Sequence, residues 1–267
     1  MIAVKIEKAL HGVHGSMRLT VDKEIKKGDF VAIMGESGAG KTTLLRVLAG
    51  LEDAQEEIVV EGRSWSALPP QKREIGFVFQ DYALFENMSV EENLLFVNKE
   101  RELCNRLLDI TQLSTLREHN VTMLSGGQKQ RVALCRALMK RPRVLLMDEP
   151  FSALDTSMKE RLYGEIKQLH QAFGMTTIMV SHDVNTTFSL ASRVWILHEG
   201  RIISDGTPQE VLLQKSPTYN TKVLRIHKSD THTVATVYFS GTLLEVEVDA
   251  DIKVGEMIEV SVKGVMV

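Results

Sequence analysis

The segment that most restricts the fold of this chain is residues 35–42, which read GESGAGKT and fit the pattern G-x-x-x-x-G-K-[ST]. An apolar run at residues 31–34 precedes it, and residues 42–49 follow at helical spacing and end at Gly50. This order predicts a strand, a glycine-rich loop and a helix whose C-cap is glycine. Glycines in such a loop let backbone N–H groups point at phosphate oxygens, and the helix N-terminus adds positive potential.

A phosphate-binding loop of this kind assigns roles to individual residues. Lys41 is placed to reach the β- and γ-phosphates of a nucleotide, and the Thr42 hydroxyl is a ligand suited to Mg²⁺. The predicted nucleotide-binding residues of this segment are Gly35, Glu36, Ser37, Gly38, Ala39, Gly40, Lys41, Thr42 and Thr43.

A second element with nucleotide chemistry is the apolar run at residues 144–147, which is followed by Asp148 and Glu149. Ligands of open α/β sheets bind at the carboxyl ends of the strands, where these two carboxylates would lie. Asp148 suits the coordination shell of Mg²⁺, and Glu149 suits a general base for the attacking water. Alone, the pair is better interpreted as a strand that ends in acidic turn residues; beside the phosphate loop, the nucleotide interpretation is favoured.

The pattern over residues 1–221 predicts an α/β domain with a mostly parallel sheet, because short apolar strands alternate with helical segments. Residues 144–147 and 176–180 have the continuous apolar character of strands that are buried on both faces. One stripe of a long helix is formed by Leu162, Ile166, Leu169 and Phe173.

The pattern changes near residue 222. Residues 234–239, 242–248 and 257–262 are β-rich, and Ser240-Gly241 lies where a tight hairpin would turn. Residues 222–267 are few for an independent core, so this module is expected to pack on the main domain or on a partner.

Composition excludes several classes of protein. The formal net charge of −3 argues against a nucleic-acid partner held by a basic face. No apolar run approaches the roughly 18 residues of a membrane span, and the first residues have no signal-peptide core. Cys104 and Cys135 match neither a disulfide framework nor a metal cluster, and Cys135 is expected to be a buried core thiol.

The sequence LSGGQ at residues 124–128 opens a helical segment in which Val132, Cys135 and Met139 share one face. Taken alone, a Ser-Gly-Gly turn that caps a helix is a common structural device. Together with the phosphate loop, Gln80, the acidic strand end, residues 152–155 and His182, it makes residues 1–221 resemble the ATPase subunit of an ABC transporter. The resemblance implies a P-loop ABC ATPase domain with a helical subdomain, followed by a small C-terminal all-β module, OB-like and partial, over residues 222–267.

The resemblance also implies that the chain binds ATP and Mg²⁺ and pairs with a second copy of itself. In such proteins two subunits close head to tail around two ATP molecules, so that the phosphate loop of one faces the LSGGQ segment of the other. A glycine-rich helix N-terminus is a suitable anion site. The residues implied to contact the nucleotide across the dimer are Ser125, Gly126, Gly127 and Gln128.

The implied catalytic residues are Glu149, His182 and Gln80, and the implied metal ligands are Thr42, Gln80 and Asp148. His182 resembles the histidine that contacts the γ-phosphate, and Gln80 resembles the glutamine that contacts Mg²⁺ or the attacking water. A lone glutamine is otherwise a solvated surface residue, and a lone histidine is more often structural. Asp155 is implied to link the two subunits, and a helix cap before Ser157 is an equally good and compatible interpretation.

The sequence departs from the family pattern at the residue expected to contact the adenine base of the nucleotide. The family usually stacks an aromatic side chain, placed before the phosphate-loop strand, on adenine, but residues 1–29 contain no Phe, Tyr or Trp. His11 or His14 would be a weaker substitute.

The resemblance further implies membrane-spanning permease subunits and, through them, a solute-binding protein as partners, with the chain peripheral on the cytoplasmic face of the inner membrane. Residues 81–90 offer aromatic and apolar side chains for a short helix of such a permease, or they pack as an ordinary loop. A separate ATPase chain without a span resembles an importer subunit, and the text GFVFQDYALF with the β-rich tail looks most like the molybdate or sulfate type.

Two other functions remain open from the sequence. A soluble ABC ATPase would use the same chemistry without a membrane partner, although such proteins usually carry two ATPase halves or a coiled-coil insertion. A regulatory subunit that does not hydrolyse ATP is disfavoured, because Glu149 and His182 are both present.

Overall fold

The structure is a computed structural model that describes residues 1–12, 15–66, 68–152, 154–213, 218–228, 233–239, 242–248 and 252–261. The chain divides into two units, Met1–Val211 and Leu212–Val267. The strands of the first unit are β1 (Ile2–Gly12), β2 (Gly15–Ile25), β3 (Phe30–Met34), β4 (Gln55–Val60), β5 (Arg63–Ser64), β6 (Ile75–Val78), β7 (Val144–Asp148), β8 (Thr176–Val180), β9 (Arg193–His198) and β10 (Arg201–Gly206). The α-helices of the described residues are α1 (Lys41–Ala49), α2 (Val90–Leu95), α3 (Arg101–Ile110), α4 (Gly126–Leu138), α5 (Thr156–Phe173), α6 (Val184–Leu190) and α7 (Pro208–Leu212).

These ten strands form one mixed sheet in the order β5-β4-β1-β2-β10-β9-β3-β8-β7-β6. The strands β9, β3, β8, β7 and β6 run parallel to one another, as predicted. The strands β1, β2, β4 and β5 pair antiparallel, which the sequence analysis did not predict. The prediction of a mostly parallel sheet therefore holds for one side of the sheet only, because residue periodicity within a strand does not show the direction of its neighbour.

The core of the first unit lies around the parallel strands. Every residue of β3, β7 and β8 is buried, as their continuous apolar sequences predict. Helix α1 buries Leu44 and Leu45, and α5 buries the predicted positions 162, 166 and 169. The α5 helix ends at Gly174, whose φ of 58° is left-handed.

A group of helices lies between β6 and β7 in the chain. Helices α2, α3 and α4 pack on one another, and α4 packs on β6. Cys104 and Cys135 are buried in this group as free thiols. Burial raises the pKa of Cys135 to about 12, in agreement with the predicted core thiol. The predicted α/β fold is thus confirmed, and these helices correspond to the expected helical subdomain.

The second unit contains a small antiparallel sheet in the order β13-β12-β11-β14, formed by β11 (Thr218–Lys228), β12 (Thr233–Phe239), β13 (Thr242–Val248) and β14 (Met257–Ser261). Strands β12, β13 and β14 match the predicted β-rich segments. Strand β11 pairs with both β12 and β14, so the strand pairing of this unit extends upstream of residue 222. The predicted turn at Ser240-Gly241 lies outside the described residues.

Among the described helices, none combines the length and the apolar character that a bilayer span requires.

Candidate functional site

Predicted nucleotide-binding, metal-binding and catalytic residues lie at the carboxyl ends of four neighbouring parallel strands. Gly35 follows β3, His182 follows β8, Asp148 ends β7, and Gln80 follows β6. The sheet order β3-β8-β7-β6 makes each of these strands a neighbour of the next. The fold therefore brings segments that are distant in sequence to one edge of the sheet, where ligands of such sheets bind.

The phosphate loop requires glycine at its two ends. Gly35 has a φ of 147°, and a Cβ atom at this position would lie 2.0 Å from the backbone oxygen of Leu197. Gly40 has a φ of 100° and is the N-cap of α1, whose first helical bond joins the N–H of Leu44 to the carbonyl of Gly40 at 2.9 Å. These constraints hold the loop tightly at the helix N-terminus, where a phosphate would meet unpaired N–H groups.

The Lys41 ammonium lies over this loop. Its Nζ donates to the carbonyl oxygens of Gly35 and Glu36, both at 2.7 Å. Burial lowers the pKa of Lys41, while the nearby carboxylates of Glu149 and Asp148 raise it. The cation is therefore held between the loop and the acidic strand end.

Thr42 and Asp148 offer a hydroxyl and a carboxylate at the same place. The Thr42 hydroxyl lies close enough to the Asp148 carboxylate to lower its pKa. Burial raises the pKa of Asp148, as does the charge of Glu149. Hydroxyl and carboxylate oxygens are ligands that Mg²⁺ prefers, and the cation would offset the cost of the buried charge. The residues present thus fit the expected metal ion.

Glu149 and His182 face each other at the strand ends. Their closest atoms, Oε1 of Glu149 and Nδ1 of His182, are 3.4 Å apart. The His182 side chain is 68 % exposed and that of Glu149 is 25 % exposed, so both groups can be reached from the solvent. Glu149 has a φ of 48°, a left-handed conformation that is uncommon for a residue with a side chain. Gln80 is also exposed, and none of the hydrogen bonds of the described residues involves it.

The LSGGQ segment forms the N-terminus of α4. The Ser125 Oγ accepts from the N–H of Gln128 at 3.3 Å, and the Gln128 Oε1 accepts from the N–H of Ser125 at 2.8 Å, which is a capping box. Among the described residues, no hydrogen bond or ion pair joins this segment to the phosphate loop. Within the described ranges, Ser125 to Gln128 therefore have no direct polar contact with the phosphate loop.

Asp155 is the N-cap of α5, as one interpretation of the sequence proposed. Its Oδ1 accepts from the N–H of Met158 at 3.0 Å and from the Ser157 hydroxyl at 2.6 Å. These bonds, with the Ser157 hydroxyl foremost, lower the pKa of Asp155. Ala153, within the same segment, lies outside the described residues.

Apolar side chains flank the phosphate loop on the side of β1 and β2. An ideal Cβ at Gly40 would lie 3.2 Å from Leu10 Cδ1 and 3.7 Å from Met17 Cε. His14 and the His11 side chain, the suggested substitutes for the missing aromatic residue, lie outside the described part of the chain.

Two polar side chains of α4 that the sequence analysis did not single out also reach the segments of the site. Gln130 donates from Nε2 to the carbonyl of Glu149 at 3.2 Å. Arg136 donates to the carbonyl oxygens of Ala83 at 2.6 Å and Tyr82 at 3.2 Å, in the segment that follows Gln80. The sequence could have indicated Gln130, because it lies four residues before Leu134 and therefore places a polar side chain on the buried face of the helix.

A phosphate loop after β3, in the parallel part of the sheet, with an acidic pair at the end of β7 two strands away, defines a P-loop nucleotide-binding domain. A family model described as "ABC transporter" matches residues 19–152. The chain belongs to this family.

Several import proteins are similar to the chain. A spermidine/putrescine import ATP-binding protein of Thermotoga maritima is 46 % identical over 200 residues, which are 72 % of this chain and 54 % of that protein. A sulfate/thiosulfate import ATP-binding protein of Mesostigma viride is 41 % identical over 74 % of this chain and 60 % of its own length. A "Probable sulfate/thiosulfate import ATP-binding protein" of Chlorella vulgaris is 43 % identical over 76 % of this chain and 90 % of its own. The chain spans little more than half the length of the first two.

Solved structures share the fold. The dimeric structure of an ATP-binding cassette in a post-hydrolysis state, bound to ADP and Pi, superimposes with a TM-score of 0.70 at 29 % identity. The match covers 78 % of this chain and 99 % of that one. A second dimeric structure, of a bacterial ABC transporter cassette, gives a TM-score of 0.68 at 30 % identity.

Proposed function

We propose that the chain is an ATP-hydrolysing subunit that powers solute import through a membrane ABC transporter. The observation that carries this proposal is the convergence of the phosphate loop, Asp148, Glu149 and His182 at the ends of three adjacent strands. This is the set of groups that positions a triphosphate, a metal ion and an attacking water.

In this proposal each residue has one task. Backbone N–H groups of the loop and the Lys41 ammonium hold the β- and γ-phosphates, and Glu149 accepts the proton of the attacking water. His182 orients the water and the γ-phosphate. The oxygens of Thr42, Asp148 and Gln80 would hold Mg²⁺, which supplies charge neutralisation on the phosphates when it is bound.

A second copy of the chain completes the site. In the part of the chain that the structure describes, Ser125, Gly126, Gly127 and Gln128 make no hydrogen bond or ion pair with the phosphate loop of their own chain. They form the N-terminus of a helix, which attracts anions. The related solved cassettes are dimers. We infer that this segment meets the γ-phosphate that is bound to the other copy.

The substitution Glu149→Gln tests the catalytic assignment. It removes the proton acceptor and keeps the size of the side chain, so we expect ATP hydrolysis to fall by about 10²–10⁴-fold. ATP binding should be retained, and the closed dimer should accumulate, as measured by nucleotide binding and by mass in solution. Glu160→Gln, on the exposed face of α5, is the matched control and should hydrolyse ATP normally. Hydrolysis at the native rate by Glu149→Gln would contradict the proposal.

The permease is proposed to dock on the segment that follows Gln80. Phe85 is partly exposed and packs against the exposed Phe96, with ring centroids 4.7 Å apart. Asn93 holds Phe85 in place, since its Oδ1 accepts from the N–H of Phe85 at 2.9 Å and its Nδ2 donates to the carbonyl at 3.1 Å. The Arg136 guanidinium lies over the Phe85 ring, 5.2 Å from the centroid. An aromatic pair held by such contacts suits a short amphipathic helix of a membrane subunit at the cytoplasmic face of the cell membrane.

For the solute we propose an oxyanion, molybdate or sulfate. The support is the β-rich tail and the likeness to sulfate/thiosulfate import proteins, although a relative named for spermidine/putrescine import is 46 % identical and the sulfate/thiosulfate relative 41 %. The test is to reconstitute the chain with its permease and to measure ATP turnover with solute-binding proteins loaded with molybdate, sulfate or a polyamine. Stimulation by an oxyanion-loaded protein is expected, and stimulation by the polyamine-loaded protein alone would refute the assignment.

A further inference from the structure

The backbone of Glu149 has to be held in place by its surroundings. Its φ of 48° is left-handed, and a non-glycine residue in this region is strained and persists only where neighbouring contacts hold it. The N–H of Glu149 donates to the carbonyl of Val180 at 3.1 Å. Its carbonyl accepts from the N–H of Ser152 at 3.3 Å, from the Ser152 hydroxyl at 3.2 Å and from Gln130 Nε2 at 3.2 Å. Ser152 belongs to the same turn, so Gln130 is the donor that ties this carbonyl to a different element.

Gln130 is a polar residue at a buried position of α4. It is 3 % exposed, and its Oε1 is buried without a hydrogen-bond partner among the described residues. The cost of burying an unpaired acceptor cancels or exceeds what one neutral hydrogen bond contributes to stability. Its neighbours on the buried side of α4, such as Val132 and Leu134, are apolar. Stability alone would favour an apolar side chain here, so the glutamine has to be explained by what it holds.

We propose that Gln130 is a positioning residue for Glu149, which holds the catalytic residue in its left-handed conformation and ties it to the helix that begins at Ser125. The proposal rests on the proposed hydrolysis of ATP by this site. Gln130 lies five residues after Ser125, about 7.5 Å along the helix axis. A shift of α4 when its N-terminus meets the nucleotide of the other copy is therefore passed directly to the carbonyl of Glu149.

The substitution Gln130→Met tests this role. Methionine has a similar length and removes both the hydrogen bond and the unpaired acceptor, so the melting temperature should change by no more than about 2–4 °C. We expect kcat for ATP to fall at least tenfold, while KM and the affinity for ATP stay within twofold. The matched control is Asn98→Leu, which removes an amide-to-carbonyl bond of 3.0 Å to Met139 at the other end of α4. The control should keep a native kcat.

A comparison with Glu149→Gln separates positioning from other effects. If Gln130 acts through Glu149, the double variant should hydrolyse ATP no more slowly than Glu149→Gln alone. A native kcat for Gln130→Met overturns the proposal, as does a further loss in the double variant. Should Gln130→Met fold poorly, Gln130→Asn, which retracts the amide by one methylene, is expected to show the same loss of kcat, and a native kcat there counts equally against the role. If Glu149→Gln itself hydrolyses ATP normally, the proposed function has failed instead.

Discussion

The Asp148 carboxyl group is buried, which disfavours its charged form. The residue is 4 % exposed, and burial is the main reason why its pKa is raised. A carboxyl whose pKa is higher in the folded state stabilises the fold only below its unfolded pKa. That contribution is lost as the pH rises through the folded pKa, so the Asp148 carboxyl makes the protein less stable at neutral pH than at low pH. A bound cation would reverse this penalty, which explains why a buried strand ends in a carboxylate.

We expect Asp148→Asn to stabilise the nucleotide-free chain at pH 7, because the amide needs no charge in the buried site. The melting temperature should rise by about 2–4 °C, the change that 1 kcal/mol produces in a protein of this size, and the gain should disappear toward pH 4. Mg²⁺ with ATP should raise the melting temperature of the native chain more than that of the variant, which lacks one ligand of the metal ion. Thermal unfolding followed by circular dichroism measures both effects.

Asp205→Asn is the control, and its effect on the melting temperature is expected to be opposite in sign to that of Asp148→Asn. Burial would raise the pKa of Asp205, but bonds from Arg193 and Lys23 outweigh it and lower the pKa. This carboxylate stabilises the fold above its unfolded pKa, so Asp205→Asn should lower the melting temperature at pH 7. A loss of stability in Asp148→Asn at neutral pH would contradict the explanation given for that residue.

Helix α1, which carries the phosphate loop at its N-terminus, is also fixed at its C-terminus. Arg73 is 4 % exposed and donates from Nη1 to the carbonyls of Val47 and Leu48, both at 2.9 Å. Its Nη2 forms an ion pair of 2.7 Å with Glu56. A cation at this end of a helix meets the negative end of the helix dipole, so one buried arginine closes the helix and neutralises a buried carboxylate.

Arg73→Met should destabilise the protein by about 3–5 kcal/mol, because it leaves Glu56 buried without a partner. Denaturation in urea at constant pH gives the free energy of unfolding. The double variant Arg73→Met with Glu56→Leu should recover part of the loss, since it removes the unpaired charge as well. An unchanged denaturation midpoint for the single variant would show that the buried pair does not support α1.

At the scale of the whole molecule, the proposed ATP site is shared between two copies of the chain. If Ser125 acts on the nucleotide of the other copy, each site combines the Lys41 of one chain with the Ser125 of its partner. A chain that is defective at Lys41 and a chain that is defective at Ser125 can then form a mixed dimer in which one site keeps both native residues.

We expect Lys41→Ala and Ser125→Asp to be inactive separately and active when mixed. Aspartate is a good N-cap and should preserve α4, but its charge repels the γ-phosphate. In a mixed dimer one composite site keeps both native residues, so an equimolar mixture should recover up to about a quarter of the native ATPase rate if the sites act independently. Hydrolysis measured against total protein gives the answer. A mixture as inactive as its components would show that Ser125 acts within its own chain.

Short contiguous patterns in the sequence determined the phosphate loop, the acidic pair after β7, the buried strands β3, β7 and β8, and the family. Each of these depends on the order of neighbouring residues, because a loop of set φ angles or a strand buried on both faces restricts residue types position by position. The fold class and the small antiparallel sheet at the C-terminus were predicted in the same way. The roles of the individual site residues remain predictions for the experiments above.

Only the tertiary structure decided which of these pieces meet. The packing of strands and helices places His182 beside Glu149. It also brings Gln130 to the carbonyl of Glu149 and Arg73 to the end of α1. Each contact joins residues from separate elements, and no local pattern encodes which element lies next to which. The antiparallel pairing of β1 with β2 and β4 was missed for the same reason, because strand direction and neighbour are set by the packing of the whole sheet.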